Sequence, residues 1–343
     1  MNQRTKSILL LIAKFAIPAA IISWCVSKVK PEQWQLLQEQ PKNYSLLVAA
    51  LLVALTALSL SYFRWCLLVR CQGISLAVIE AFRLGAIGFL LSFVSAGSVG
   101  GDLFKAVFLA KRSPGKRVEA IASVVVDRGV GLLGLLLLVT IALSVTEPRA
   151  SAGEDGAIIA RVGQAAGLLT VVGLTVIGIL ILGGKPIDGL IRWSATWPFV
   201  GGLIERIAGP LRMFHQHPFA FGVSLLISVG VHVLLTLSIY MIANGLFSEP
   251  PSLADHFVIV QFANTAAALP IAPAGLGVTE LAVDWLYRVI PETPTTASGT
   301  LVALVYELVK VAMAIIGMIF YWTAGREVKS SLSAAEEVNT NQG

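Results

Sequence analysis

Apolar residues in this chain fall in long runs, not at helical or strand intervals. Ile8–Val26, Tyr44–Tyr62, Ala120–Val145, Gly163–Leu182, Phe219–Leu246 and Leu301–Ala324 are such runs. Each is close to the ~20 residues that an α-helix needs to cross ~30 Å of hydrocarbon. The pattern predicts six transmembrane helices. Two further apolar segments, Leu84–Ala110 and Phe257–Ile290, are interrupted in the middle. The first break reads Ser95-Ala96-Gly97-Ser98-Val99-Gly100-Gly101, and the second Pro270-Ile271-Ala272-Pro273-Ala274-Gly275-Leu276-Gly277. Each half is roughly 9–14 residues, too short to span as a straight helix.

Composition agrees with the runs. Of 343 residues, 56% are hydrophobic and 13% charged, against about 25% charged in a soluble domain. A soluble enzyme, a disordered chain and a coiled coil are excluded. Basic tracts interleaved with aromatics are missing, so nucleic acid is not an expected partner. Cys25, Cys66 and Cys71 lack metal-ligand neighbours at useful spacing, and no metal or other cofactor is expected. Met1–Lys6 followed by Ser7–Val26 resembles a signal peptide, but no clean small-residue cleavage site follows, so it reads as the first span.

Loop charge sets the expected orientation. Arg4 and Lys6, then Arg64, Arg70 and Arg83, then Lys111, Arg112, Lys116 and Arg117 flank the first three runs. Lys185, Arg192, Arg206 and Arg212 lie between the fourth and fifth runs, and Arg326 and Lys329 follow the last. Glu147–Asp155, Ser248–Asp255 and Pro291–Ser298 are acidic or nearly free of bases. The lysine and arginine bias puts the first set, with both termini, in the cytoplasm of a plasma (inner) membrane protein and the second set outside. Lys28, Lys30 and Lys42 fit poorly in the external loop to which this assigns them. Arg192–Arg212, with Trp193, Trp197 and Phe199, reads as an interfacial amphipathic stretch.

Each broken segment then starts and ends on one side, as a re-entrant helical hairpin, one entering from each face. Both are followed by an acid, Asp102 and Glu280, and then by a full span with charges inside it. Asp127-Arg128 comes 25 residues after Asp102, and Glu307, with Lys310, comes 27 after Glu280. At 1.5 Å per residue both pairs sit roughly 11–12 Å deep, from opposite faces. Two such units in inverted orientation are a transporter signature. The expected fold is therefore an all-α polytopic membrane protein, with six transmembrane helices and two re-entrant helical hairpins in an inverted repeat. It occupies one domain over residues 1–330, with repeats over about 44–145 and 219–324 and a disordered cytoplasmic tail over 331–343.

Asp102, Lys105, Asp127, Arg128, Glu280, Glu307 and Lys310 fall within or beside hydrocarbon. Unpaired, each would cost about 2.5–3.5 kcal/mol at the centre of a lone helix. They must pair, face water, or both, and they are the candidate substrate-binding residues. Gly97, Gly100, Gly101, Pro270, Pro273, Gly275 and Gly277 are the candidate hairpin turns. Half-helices that begin near Gly101 and Val278 would point N-terminal amides inward, where anions bind. Lys105, Arg128 and Lys310 would add positive charge, so the expected ligand carries a phosphate or carboxylate. The plainer alternatives are helix capping for Asp102 and Glu280 and structural ion pairs for Arg128 and Lys310. His232 reads as a packed polar residue, whereas Gln261 and Asn264 either line the cavity or hold helices together.

These residues carry a resemblance. The chain resembles the flippase-like family of the transmembrane region of lysylphosphatidylglycerol synthase, the multiple peptide resistance factor, over about residues 8–325. Its marks are Arg64-Trp65, the stretch Ser98 to Lys105, the pair Asp127-Arg128, and Leu269 through Glu280, the most specific of them. The resemblance implies re-entrant helices around a central cavity, and movement of lipids with charged head groups between leaflets. This chain departs from the family pattern at Ser95-Ala96, where a proline is usual. It also departs at Lys105, commonly Arg, and at Glu307, commonly Arg, with the base one turn on at Lys310. The synthases' soluble aminoacyltransferase domain is absent, so neither synthase nor other enzymatic activity is expected. Membrane lipids are the expected partners, with lipid-synthesis enzymes on separate chains a further option. Two other readings stay open: a secondary transporter of a small anionic solute, and a non-catalytic membrane subunit of a lipid-modifying system.

Overall fold

The computed structural model describes residues 31–94, 100–146, 153–183, 215–268 and 277–324, with isolated positions beside them. The expected first span, the loop over 147–152, most of the Arg192–Arg212 stretch and the tail lie outside the described residues. So do Gly97, Pro270 and Pro273. Among the described residues ten helices follow one another: α1 Pro31–Glu39, α2 Tyr44–Cys71, α3 Val78–Val94, α4 Gly100–Arg112, α5 Arg117–Val145, α6 Gly153–Leu182, α7 Pro218–Leu246, α8 Leu253–Ala268, α9 Val278–Val289 and α10 Gly299–Trp322. No strand occurs among the described residues. Among the described residues, five helices are long and apolar enough to cross a membrane: α2, α5, α6 over Gly153–Ile179, α7 and α10. These match five of the six predicted runs, and the chain is an integral membrane protein.

Helix α2 runs nine residues further than its predicted span, which ended at Tyr62. The reason is local: after Arg64 the chain returns to apolar residues, Trp65-Cys66-Leu67-Leu68-Val69. Arg64 is therefore inside a helix and not in a loop. The Asn43 side chain accepts a bond from the Leu46 amide and caps the start of α2.

Helices α2 and α7 pack against each other and run antiparallel. Asn43 N donates to Gly245 O at 3.0 Å, Ser238 Oγ donates to Ala50 O at 2.9 Å, and Arg64 Nη1 reaches Ser228 Oγ at 3.0 Å. As one number rises the other falls. Serine hydroxyls that reach across helices in this way are usual where no water competes.

Helices α3 and α4 form an antiparallel hairpin. Arg112 pairs with Glu80 at its open end, and Gly88 meets Gly101 near its closed end. A Cβ on Gly101 would stand 2.0 Å from Gly88 O, so only glycine permits this approach. Lys116 Nζ donates to Gly73 O at 2.7 Å and ties the loops on either side of the hairpin together. Helices α8 and α9 repeat the arrangement. His256 Nε2 and Tyr287 Oη are 2.8 Å apart, and Thr295 Oγ1 donates to Glu249 O at 2.7 Å across the flanking loops. Because α2 and α7 are antiparallel, the two hairpins open at opposite ends of the bundle. Arg70, Arg112, Lys116 and Arg117 mark one end; Glu249, Asp255 and Glu292 mark the other. The hairpins also cross over: α3 packs on α10, and α8 packs on α5.

The bundle is covered in hydrocarbon. Leu168, Leu169, Val171 and Val172 on α6, Leu226 on α7 and Leu308 on α10 are all at least half exposed. In water such surface would drive aggregation; in a bilayer it is the expected lipid-facing exterior. Helix α6 turns small residues toward α5 instead, with Gly173 at Leu133 and Thr170 bonded to Thr140 at 3.2 Å.

Candidate functional site

Residue Arg64 stands seven residues before the end of α2, about 10 Å inside it at 1.5 Å per residue. There it is buried, and its Nε donates to Asp127 Oδ1 at 2.8 Å. Its Nη1 donates to Ser228 Oγ, which in turn donates to Val130 O at 2.8 Å. Gly131 gives the guanidinium room, since a Cβ there would lie 3.2 Å from Nη2. This is a closed pair: one cation, one carboxylate, and further hydrogen bonds that join α2, α5 and α7.

Arg128 follows Asp127 and points elsewhere, because successive residues on an α-helix are about 100° apart. Its Nε donates to Asp102 on α4. Lys105, one turn further along α4, reaches the other oxygen of Asp102 at 3.1 Å and lies 5.1 Å above the Trp65 ring. One carboxylate thus serves two cations. The Asp102 side chain is 13% exposed while that of Arg128 is 55% exposed, so the cluster opens on the arginine side.

These groups line one cavity of about 530 Å³ between α2, α3, α4, α5, α7 and α8. Ligand pockets typically span about 300–1,000 Å³. Arg64, Asp102, Lys105, Asp127 and Arg128 give it charge, and Leu58, Phe89, Leu132 and Leu235 give it apolar wall. Tyr62, His232 and Asn264 also line it. Tyr62 Oη, His232 Nδ1 and Asn264 Nδ2 are buried and have no hydrogen-bond partner among the described residues.

Four of the seven predicted charged residues, Asp102, Lys105, Asp127 and Arg128, come together here. Gly101, at the first turn of α4, also lines the cavity, and Gly100 begins that helix. Glu280, Glu307 and Lys310 do not line this cavity. Glu280 is buried and its Oε2 accepts from Gly277 N at 2.7 Å, the capping role weighed from the sequence. Glu307 and Lys310 form an ion pair, with Lys310 Nζ 5.5 Å from the centroid of the Tyr306 ring. Lys310 lies two turns before Gly317, which packs on Ala86 of α3, so it is on the α10 face toward that hairpin. Gly275 and Gly277 have φ of +73° and +84°, a left-handed backbone that favours glycine and turns the second hairpin. Of the polar residues named on α7 and α8, Asn264 and His232 line the cavity, while Gln261 Nε2 bonds Thr236 Oγ1 at 2.6 Å and holds helices together.

Arg64 was missed as a site residue. Its signal is the apolar run that resumes at Trp65, which places the arginine within the span. Ser228 carries no sequence signal of its own.

Antiparallel helical hairpins, the long helices α2 and α7 that run in opposite directions, and a charged cavity among them define a polytopic helical membrane protein built around a polar chamber. The chain belongs to the family described as the lysylphosphatidylglycerol synthase transmembrane region, whose model matches residues 11–317. No curated protein and no solved structure matches it.

Proposed function

We propose that this protein moves a lipid with a charged or phosphate head group between membrane leaflets, without nucleotide hydrolysis. The observation that carries the reading is the cavity itself. Its cations, Arg64, Lys105 and Arg128, share a chamber with apolar wall, as a molecule with an ionic head and a hydrocarbon tail requires. A charged pocket buried among spans is costly unless it is used. Membership of a lipid-related membrane family supports the same reading.

The transport architecture proposed is six spans with two re-entrant hairpins in inverted repeats, α2–α5 and α7–α10. The antiparallel α2 and α7, and hairpins opening at opposite ends, support it. The basic end is cytoplasmic in this reading, with both termini on that side. Binding energy passed between the two hairpins would let the chamber open to one face and then the other.

Reconstitution tests the reading. Full-length protein in phosphatidylcholine vesicles that carry a trace of fluorescent phosphatidylglycerol should speed equilibration of the probe between leaflets over protein-free vesicles. Equal rates with and without folded protein would contradict it. Uptake of a water-soluble anion with no lipid movement would favour a solute transporter instead.

A further inference from the structure

We infer that the chamber selects a monoanionic phosphodiester lipid with an uncharged head group, and disfavours lipids whose head group carries an added amine. This inference rests on the lipid-moving reading and specifies its substrate class. It comes from the charge balance of the chamber. Among the described residues that line it, three are cations, Arg64, Lys105 and Arg128, and two are carboxylates, Asp102 and Asp127. Arg64 and Asp127 neutralise each other in a buried pair, and Arg64 Nη1 also donates to Ser228 Oγ. The excess positive charge is therefore localised at Asp102, where one carboxylate faces both Lys105 and Arg128. One further anionic group completes that cluster, and two would overload it.

Geometry narrows the ligand further. A phosphodiester presents two anionic oxygens to a planar guanidinium and an ammonium held on one side. Lys105 is fixed for this by the Trp65 ring beneath it and by Asp102 one turn away. Tyr62 Oη and Asn264 Nδ2 are buried groups without a partner among the described residues, on helices that line the same chamber. Leaving such groups unsatisfied is costly, and head-group hydroxyls or ester oxygens would satisfy them. An added ammonium on the ligand would meet Arg128 and Lys105 with like charge. Glu280 and Glu307, the other buried acids, are outside the chamber and cannot receive it. Leu58, Phe89, Leu132 and Leu235 provide the wall along which the acyl chains leave.

The test is competitive lipid retention. Lipid-depleted full-length protein in detergent is given equal amounts of phosphatidylglycerol, phosphatidylethanolamine and lysylphosphatidylglycerol with matched acyl chains, and bound lipid is read by native mass spectrometry. Phosphatidylglycerol should be retained about tenfold over the other two, the equivalent of one charge-assisted hydrogen bond. Arg128→Gln should collapse that preference, bringing phosphatidylglycerol down to the phosphatidylethanolamine level. Lys105→Gln is the second variant, with the same expectation. Lysylphosphatidylglycerol bound as well as or better than phosphatidylglycerol overturns the inference and leaves the lipid-moving reading standing. A preference unchanged in both variants also overturns it. Glycerophosphoglycerol, the head group without acyl chains, is the water-soluble arm; its capture in place of the lipid would make the ligand a solute and overturn the inference. Folded protein that retains none of the three lipids defeats both readings.

Discussion

Asp127 and Arg128 are adjacent in sequence and serve different partners. Asp127 is locked to Arg64 on α2, while Arg128 reaches Asp102 on α4. The first pair is structural. Removing one member leaves a buried charge uncompensated, at a cost of about 3–5 kcal/mol. Arg64→Ala should therefore lower the unfolding midpoint sharply in detergent, while Arg64→Met combined with Asp127→Leu should lose less than either single change. A loss in the double variant equal to the sum of the two single losses would show that the pair is not coupled. Glu280 offers the opposite case. Glu280→Gln keeps an oxygen to accept the Gly277 amide, so thermal unfolding should register a loss of about 1 kcal/mol or less. The sequence marks Asp127-Arg128 as charges in need of partners. It does not reveal the partner 63 residues away, because that depends on where α2 ends and which face it turns to α5.

The hairpins were legible at the scale of the element. Glycine and proline inside apolar segments mark the two breaks, and an acid follows each. Their arms are unequal, however: α3 and α8 have 17 and 16 residues, longer than the 9–14 expected, while α4 and α9 have 13 and 12. The first arms extend into the flanking loops through Val78-Ile79-Glu80 and Leu253-Ala254-Asp255, whose acidic residues suit a helix start. Packing supplies the rest. Gly101→Ala would drive a methyl into the Gly88 carbonyl. Strain of this kind costs about 1–3 kcal/mol. Gly129→Ala on α5 is the control, since nothing lies within 4 Å of its added carbon. It should be neutral or slightly stabilising, by up to about 1 kcal/mol of helix propensity. If both variants unfold at the same temperature, the α3–α4 contact is not as close as described.

For the whole molecule, α2 and α7 run antiparallel and the two hairpins open at opposite ends of the bundle. The charge bias of the loops predicts an orientation from sequence alone, whereas the packing of α3 on α10 and α8 on α5 could only come from the structure. Orientation is checked on a cysteine-free background, which is reasonable because Cys66 and Cys71 are buried and unpaired with each other. Pro114→Cys should label only after the membrane is opened, and Pro294→Cys in intact cells; labelling of position 114 from outside contradicts the hairpin topology. The central claim is that the Arg128 side chain grips the anionic head group as it crosses. The most direct measurement is the rate of phosphatidylglycerol movement between leaflets in vesicles that carry wild-type, Arg128→Ala or Arg128→Lys protein at matched folded amounts. The account predicts that Arg128→Ala falls to the protein-free rate. Arg128→Lys should retain part of the activity, because a point charge still attracts phosphate but loses the two-pronged contact. Wild-type rates in well-folded Arg128→Ala protein would contradict it.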